Sequence, residues 1–135
     1  MQNRYEKKFE ELARAGQKAF IPYTLLGYPN KDICRRSIEE LINTGASALE
    51  LGLAFSDPLA DGPVIQEASA QVIESGFRVR DAFEILAQVR KFDDTIPITL
   101  MCYYNTVLAR GVSIFCKEAR EAGVDGILIV DLPVS

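Results

Sequence analysis

Three acidic side chains follow closely on one apolar segment of the chain. Residues 50–63 read ELGLAFSDPLADGP, and Glu50, Asp57 and Asp61 occur there without one Lys or Arg. Two carboxylates in different surroundings can act as general acid and general base in a single reaction. A salt bridge would hold such groups in the ionised form, so the lack of a neighbouring cation suits proton transfer. This stretch is therefore the first candidate for an acid–base site.

The rest of the chain predicts the elements that must position these acids. Hydrophobic periodicity, capping residues and turn residues predict helices that alternate with strands. The predicted helices lie at 3–15, between 30 and 45, and around 65–73, 83–89 and 114–119, and the predicted strands lie within 19–30, 47–53, 98–103 and 126–133. Such an alternation is typical of a parallel sheet, either doubly wound or closed into a (β/α)₈ barrel.

The strand at 47–53, SALELGL, helps to choose between these two architectures. Its leucines, Leu49, Leu51 and Leu53, are expected on one face, and Glu50 with its small neighbours on the other. In a doubly wound sheet, helices cover both faces, and a lone buried carboxylate would be costly to desolvate. In a barrel, the leucines meet the outer helices while Glu50 looks inward. The pattern therefore favours the (β/α)₈ TIM barrel.

The number of strands sets how much of a barrel is present. A complete barrel needs eight strands in about 250 residues, whereas four strands are predicted in these 135 residues. We therefore expect a single domain, residues 1–135, that forms about the first four strand–helix units of a TIM barrel plus an N-terminal helix.

Composition disfavours several other classes of protein. The chain is 48% hydrophobic, carries a net charge of −4 and has no basic run, so its field would repel nucleic acid and anionic membranes. There is no histidine, and the three cysteines are widely spaced, which excludes a Cys/His zinc site. The charged amino end does not look like a secretory signal, and no long apolar run follows. We therefore expect no metal, no nucleic acid, no membrane and a cytoplasmic location.

Four segments of the chain together resemble one enzyme family. ALELGLAFSDPLADGPVIQ at 48–66, FIPYTLLGYP at 20–29, MCYYN at 101–105 and IVDLP at 129–133 resemble, in this order, the tryptophan synthase α-chain family. The resemblance implies a (β/α)₈ lyase of L-tryptophan biosynthesis that cleaves indole-3-glycerol phosphate into indole and glyceraldehyde 3-phosphate. It also implies an α2β2 assembly with a β chain, which would hold pyridoxal phosphate, and no cofactor in this chain.

The resemblance also assigns roles to the acids. Glu50 matches the catalytic acid/base of the family, and Asp61 matches its second catalytic carboxylate. At an inward strand end Glu50 should be partly desolvated, which suits a proton donor to carbon, while Asp61 on a loop suits an acceptor for the indole N–H. Without the resemblance, Glu50 is more simply interpreted as a solvated strand-end acid, and Asp61 as a turn residue before glycine.

Six further positions match the family. Tyr23, Met101 and Tyr103 match residues that pack against the indole ring, although aromatic and methionine side chains at strand ends often only fill a core. Asp57, Pro58 and Asn105 match residues at the interface with the β chain, for which a proline-stiffened loop is suitable.

Some features depart from the family or stay open. Ala54 stands where the family usually has proline, which puts the rigidity of the adjacent loop in question. Asp131 ends the fourth predicted strand but is left out of the catalytic set, since it could simply cap the following turn. The family's phosphate-binding groups lie after later strands, so this chain alone is expected to be weakly active or inactive. The alternative is a non-catalytic half-barrel or partner module that docks on a β chain and activates it.

Overall fold

A computed structural model describes residues 2–134 of the chain. Each of the first three strands is followed by one or two helices. In chain order they are α1 (Arg4–Ala15), β1 (Tyr23–Leu25), α2 (Lys31–Asn43), β2 (Leu49–Gly52), α3 (Pro63–Glu74), α4 (Val79–Phe92), β3 (Ile98–Cys102), α5 (Tyr104–Arg110), α6 (Val112–Glu121) and β4 (Gly126–Ile129).

The four strands form one parallel sheet in the order β1-β2-β3-β4. Each strand therefore pairs with the next one along the chain, and the order does not reverse. A doubly wound sheet has a reversal of strand order, whereas a (β/α)₈ barrel adds each strand beside the previous one. The topology is that of half a barrel.

The side chains of β2 alternate as predicted. Leu49 and Leu51 are fully buried, and they belong to the main core together with Ile38 of α2, Leu86 of α4 and Phe115 of α6. This core lies between the sheet and its outer helices. Because neighbouring residues of a strand point to opposite faces, Glu50 faces the inner side of the sheet.

Local sequence signals account for the ends of the first two helices. The Asn3 side chain accepts a hydrogen bond from the Glu6 amide, and the Glu6 carboxylate accepts one from the Asn3 amide, which is a capping box at the start of α1. Gly16 ends α1 with φ at 65°, a conformation that glycine adopts without steric cost. The Asn30 side chain caps α2 by accepting from the Ile33 amide at 3.0 Å, as predicted.

Three elements differ from the sequence-based expectation, and one of them is the fourth strand, which ends at Ile129, two residues before Asp131. The first strand has only three residues, Tyr23–Leu25, although the β-rich segment around it is longer. Helix α5 was not predicted at all. It has seven residues, too few for hydrophobic periodicity to show, and its N-cap residue Tyr103 has no capping side-chain hydrogen bond.

Helix α1 is fastened to the sheet by polar contacts. The Tyr5 hydroxyl is hydrogen-bonded to the Thr99 hydroxyl of β3 at 2.5 Å, and the Arg4 guanidinium is paired with Asp125 at 2.8 Å. Arg90 of α4 donates to the same carboxylate at 3.0 Å. This network ties α1 and α4 to the amino-terminal ends of β3 and β4.

Candidate active site

Glu50 lies in the middle of the inner face of the sheet. In the register of the strands its neighbours are Tyr23 of β1 on one side and Thr99 of β3 on the other. The side chain is half-buried, and within residues 2–134 the Glu50 carboxylate has no partner among the ion pairs.

Asp61 is held at the carboxyl end of the sheet by Tyr103. The Tyr103 hydroxyl donates to Asp61 Oδ2 at 3.2 Å and accepts from the Ala60 amide at 3.0 Å. The Tyr103 ring is 5% exposed and stacks on Phe55, with 4.9 Å between the ring centroids. Tyr103 thus fixes the acidic loop, residues 54–62, to the end of β3.

The acidic loop also has internal hydrogen bonds. The Asp61 amide donates to the Pro58 carbonyl at 3.0 Å, and the Leu59 amide donates to the Asp57 carbonyl at 2.9 Å. The Gln66 side chain donates to the Asp61 carbonyl at 2.8 Å, which connects the loop to α3. Asp61 therefore sits on an ordered turn, and the Asp61 carboxylate has no cation partner among the described residues.

The charges of both carboxylates act on Tyr23, which pairs with Glu50 in the register of β1 and β2. Burial raises the pKa of Tyr23 to about 12, with further upward contributions from Asp61, from Tyr103 and from Glu50. Electrostatic effects of this kind require the charges to be near the phenol. The charges of Glu50 and Asp61, eleven positions apart in the chain, thus both act on the Tyr23 phenol.

The Tyr23 side chain can lie over the end of β2 because Gly52 leaves room for it. A Cβ atom added at Gly52 would lie 2.9 Å from Tyr23 Cζ and would overlap the Tyr23 hydroxyl. The sequence alone indicates only that Gly52 is a small neighbour of Glu50. The glycine is needed for the close approach of a side chain from the neighbouring strand.

The other predicted substrate-binding residues lie near this point. Met101 is half-buried, and it pairs with Gly52 in the register of β2 and β3, so it shares the inner face with Glu50. Tyr103 has its hydroxyl engaged by the acidic loop. Contact of Tyr23, Met101 and Tyr103 with an indole ring stays a prediction.

The predicted partner-interface residues lie on or beside the acidic loop. Asp57 and Asn105 are exposed, and Pro58 is half-buried. Leu59 and Val64 next to them are 84% and 79% exposed. Exposed apolar side chains close together are typical of a contact surface, and the role of this surface stays a prediction.

Asp131, which is not among the predicted site residues, makes a specific contact in the structure. Asp131 Oδ1 accepts a hydrogen bond from the Tyr104 amide at 2.7 Å. The residue therefore caps the start of α5, which precedes it by 27 positions, rather than the turn that follows it. No local sequence signal could have found a contact between two different strand ends.

A family model described as tryptophan synthase alpha chain matches residues 9–135 of the chain. The chain belongs to the tryptophan synthase alpha chain family. A relative of this name from Francisella tularensis is 47% identical over 133 residues, which is 98% of this chain and 49% of the relative. One from Shewanella baltica is 46% identical over 131 residues, 97% of this chain and 48% of the relative. The chain thus spans about half the length of the curated relatives it matches.

Solved structures of the tryptophan synthase alpha family confirm the fold. The alpha subunit from Legionella pneumophila superposes with a TM-score of 0.94 at 38% identity, over 98% of this chain and 51% of that one. A chain from Pyrococcus furiosus comes from a structure described as the basis of mutual activation of the tryptophan synthase α2β2 complex. It superposes with a TM-score of 0.79 at 44% identity, over 85% of this chain and 46% of that one. The predicted TIM-barrel architecture, present as an α/β half-barrel, is confirmed. No helix within residues 2–134 is both long and apolar enough to cross a membrane.

Proposed function

We propose that this chain provides the acid–base half of an indole-3-glycerol-phosphate lyase, the α subunit reaction of tryptophan synthase in L-tryptophan biosynthesis. The observation that supports this most directly is that Glu50 pairs with Tyr23 across the inner face and Asp61 is held by Tyr103, without a cation paired to either carboxylate among the described residues. The reaction is a retro-aldol cleavage, which consists of proton transfers and the breaking of one carbon–carbon bond.

Glu50 acts as the acid and then as the base. Its carboxyl gives a proton to indole C3 and afterwards takes the proton of the hydroxyl on the adjacent side-chain carbon. As the bond between these carbons breaks, its electron pair returns to the indole ring, and the hydroxyl carbon becomes the aldehyde carbon of glyceraldehyde 3-phosphate. Glu50 ends the cycle protonated, as it began, so no co-reactant is needed. General acid–base steps of this kind contribute about 10²–10⁴-fold each.

Asp61 acts as the acceptor for the indole N–H. A negative charge beside this group stabilises the positive charge that develops on the ring when C3 is protonated. The hydrogen bond from Tyr103 keeps one oxygen of Asp61 occupied, which leaves the other oxygen for the substrate. Tyr23 and Met101, on the same face as Glu50, supply the walls for the ring.

The partner in this proposal is a tryptophan synthase β chain in an α2β2 assembly. The contact is made by the surface with Asp57, Pro58 and Asn105, beside the exposed Leu59. The Pyrococcus furiosus relative, described in an α2β2 complex, supports this choice of partner. The chemistry proposed for this chain uses only its own side chains, and pyridoxal phosphate is held by the β chain.

The lyase proposal is tested by indole release from indole-3-glycerol phosphate. Because the relatives are about twice as long, the chain is assayed alone and mixed with the carboxyl-terminal half of the Francisella tularensis relative. We expect weak or no release alone and clear release from the mixture. Glu50→Gln and Asp61→Asn should each reduce it by about 100-fold or more. The matched control is Glu84→Gln on the outer helix α4, whose side chain is 59% exposed and which should leave the rate unchanged.

Two results would contradict the proposal. One is that the wild-type mixture releases no indole. The other is that Glu50→Gln releases indole at the wild-type rate. The family assignment does not favour a non-catalytic partner module, and the same variants test it. A module would stimulate tryptophan formation by a β chain from indole and serine, to the same extent in the wild type and in the Glu50→Gln variant, while making no indole itself.

A further inference from the structure

The end of the β3–β4 ladder contains a side-chain link. The last backbone bond between these strands runs from the Val130 amide to the Cys102 carbonyl at 3.1 Å. One step further, the Tyr104 amide donates to the Asp131 carboxylate at 2.7 Å. The carboxylate thus takes the place of a backbone acceptor and extends the connection between the strands beyond their last paired residues.

Helix α5 depends on this carboxylate for a cap. The first amides of a helix have no acceptor within the helix, and a side chain at the N-cap normally supplies one. The N-cap residue of α5 is Tyr103, which makes no such bond. Asp131 supplies the acceptor from another strand, and its negative charge is favourable at a helix N-terminus.

The residue directly before this cap is the one that holds Asp61. Tyr103 stacks on Phe55, and the Tyr103 hydroxyl bonds both Asp61 and the Ala60 amide. The direction of the Tyr103 side chain depends on the backbone at the β3–α5 junction. That junction is the place where Asp131 is bonded.

We propose that Asp131 is a positioning residue that acts through the β3–α5 junction: its carboxylate holds the Tyr104 amide, so that the Tyr103 hydroxyl meets Asp61 and Ala60. The catalytic consequence rests on the function proposed above, whereas the structural coupling from β4 to the acidic loop does not. Asp131 touches no reacting atom in this arrangement. It affects the reaction through the position of the Asp61 carboxylate.

The structural coupling is tested by amide hydrogen exchange on the full chain. Asp131→Ala should accelerate exchange of the Tyr104 amide and also of the Ala60 amide, each by about tenfold or more, which corresponds to the loss of about one hydrogen bond. Asp131→Asn retains an oxygen acceptor and should restore most of the protection. The control Glu121→Ala, on the exposed end of α6, should change neither amide.

The reverse variant separates coupling from local capping. Tyr103→Phe should accelerate hydrogen exchange of the Ala60 amide and leave the Tyr104 amide protected. If Asp131→Ala affects the Tyr104 amide alone, Asp131 is only a helix cap and the proposal is wrong. It is equally wrong if neither amide changes while circular dichroism shows the variant folded.

The catalytic consequence is measured in the mixture described above. Asp131→Ala should lower kcat about tenfold and change KM by no more than about twofold. The reason is that a displaced Asp61 stabilises the transition state less well, while the substrate is still bound. The loss of kcat should not add to that of Tyr103→Phe, since the two residues act in series.

If the wild-type mixture makes no indole, the lyase proposal fails, and the exchange experiment still decides the coupling. If Asp131→Ala has wild-type kcat, the positioning role is wrong.

Discussion

The Tyr23 hydroxyl lies over Gly52, in the space that the side chain of any other residue at position 52 would occupy. Tyr23 is on β1 and Gly52 is at the end of β2, two residues after Glu50. The missing side chain leaves the space above β2 that the Tyr23 phenol occupies. The geometry of the candidate site thus depends on a residue that has no functional group.

Gly52→Ala is expected to displace the Tyr23 phenol. The added methyl overlaps the hydroxyl, and because Tyr23 is a long side chain at a half-buried position, it can move instead of the backbone. We expect a loss in the free energy of unfolding of about 1–3 kcal/mol, the usual cost of overpacking, together with reduced indole release. Urea unfolding measures the first quantity and the coupled assay the second.

A double-mutant cycle checks that the effect of Gly52→Ala comes from Tyr23. In the Tyr23→Ala background there is no phenol to displace, so Gly52→Ala should cost at least about 1 kcal/mol less than in the wild type. Equal costs in the two backgrounds would show that the overlap with Tyr23 is not the cause.

Tyr103→Phe should loosen the acidic loop without removing a ring from the core. The hydroxyl serves both Asp61 and the Ala60 amide, so we expect a loss of about 1–2 kcal/mol in the free energy of unfolding. Indole release should also fall, because Asp61 is no longer oriented. The matched control is Tyr104→Phe, since the neighbouring hydroxyl makes no hydrogen bond within the described residues, and a similar loss there would contradict the assignment.

The stability of the fold should fall at high pH because of Tyr23. Burial first, and then the nearby Asp61, Tyr103 and Glu50, raise its pKa to about 12, whereas a tyrosine in the unfolded chain ionises near 10. Between these two pH values the folded state therefore binds more protons than the unfolded state. The contribution of Tyr23 to the free energy of unfolding is fully present below about pH 10 and is lost as the pH rises to about 12.

Urea unfolding at several pH values measures this decline, and Tyr23→Phe should make it shallower. Absorbance titration of the phenolates gives an independent check, since Tyr23→Phe should remove a group that titrates late. Removal of a group that titrates near pH 10 would show that the pKa of Tyr23 is not raised, and would contradict the prediction.

Asp125 is expected to be important for stability rather than for chemistry. It is 10% exposed and pairs with Arg90 at 3.0 Å and with Arg4 at 2.8 Å, and it also accepts from the Ile98 amide at 2.9 Å. Asp125→Ala leaves Arg90, whose side chain is only 12% exposed, without its ion-pair partner, which should cost about 3 kcal/mol or more in the free energy of unfolding.

The comparison for this variant is Glu121→Ala. Glu121 faces Lys117 at 3.9 Å with both side chains largely exposed, so its removal should cost no more than about 0.5 kcal/mol. If the two variants have the same urea midpoint, the buried network does not contribute as described.

Most of the architecture could be predicted from the sequence because it depends on local patterns. The alternating leucines of β2 predicted which face meets the helices, and Asn30 predicted the start of α2 through its side-chain oxygen. Helix α5 could not be predicted, since its cap comes from Asp131 and its seven residues show no periodicity. Where the stabilising contact is distant in the chain, a local pattern contains no sign of it.

The same distinction applies to the candidate site. The sequence by itself determined the family, the parallel α/β order and the two acids, because motif, period and residue type are properties of short segments. Only the tertiary structure decided that Tyr103 holds Asp61 from 42 positions away, and that Tyr23 passes over Gly52. Those contacts depend on strand register and on the path of the acidic loop back over the sheet, which arise only when the four strands are paired.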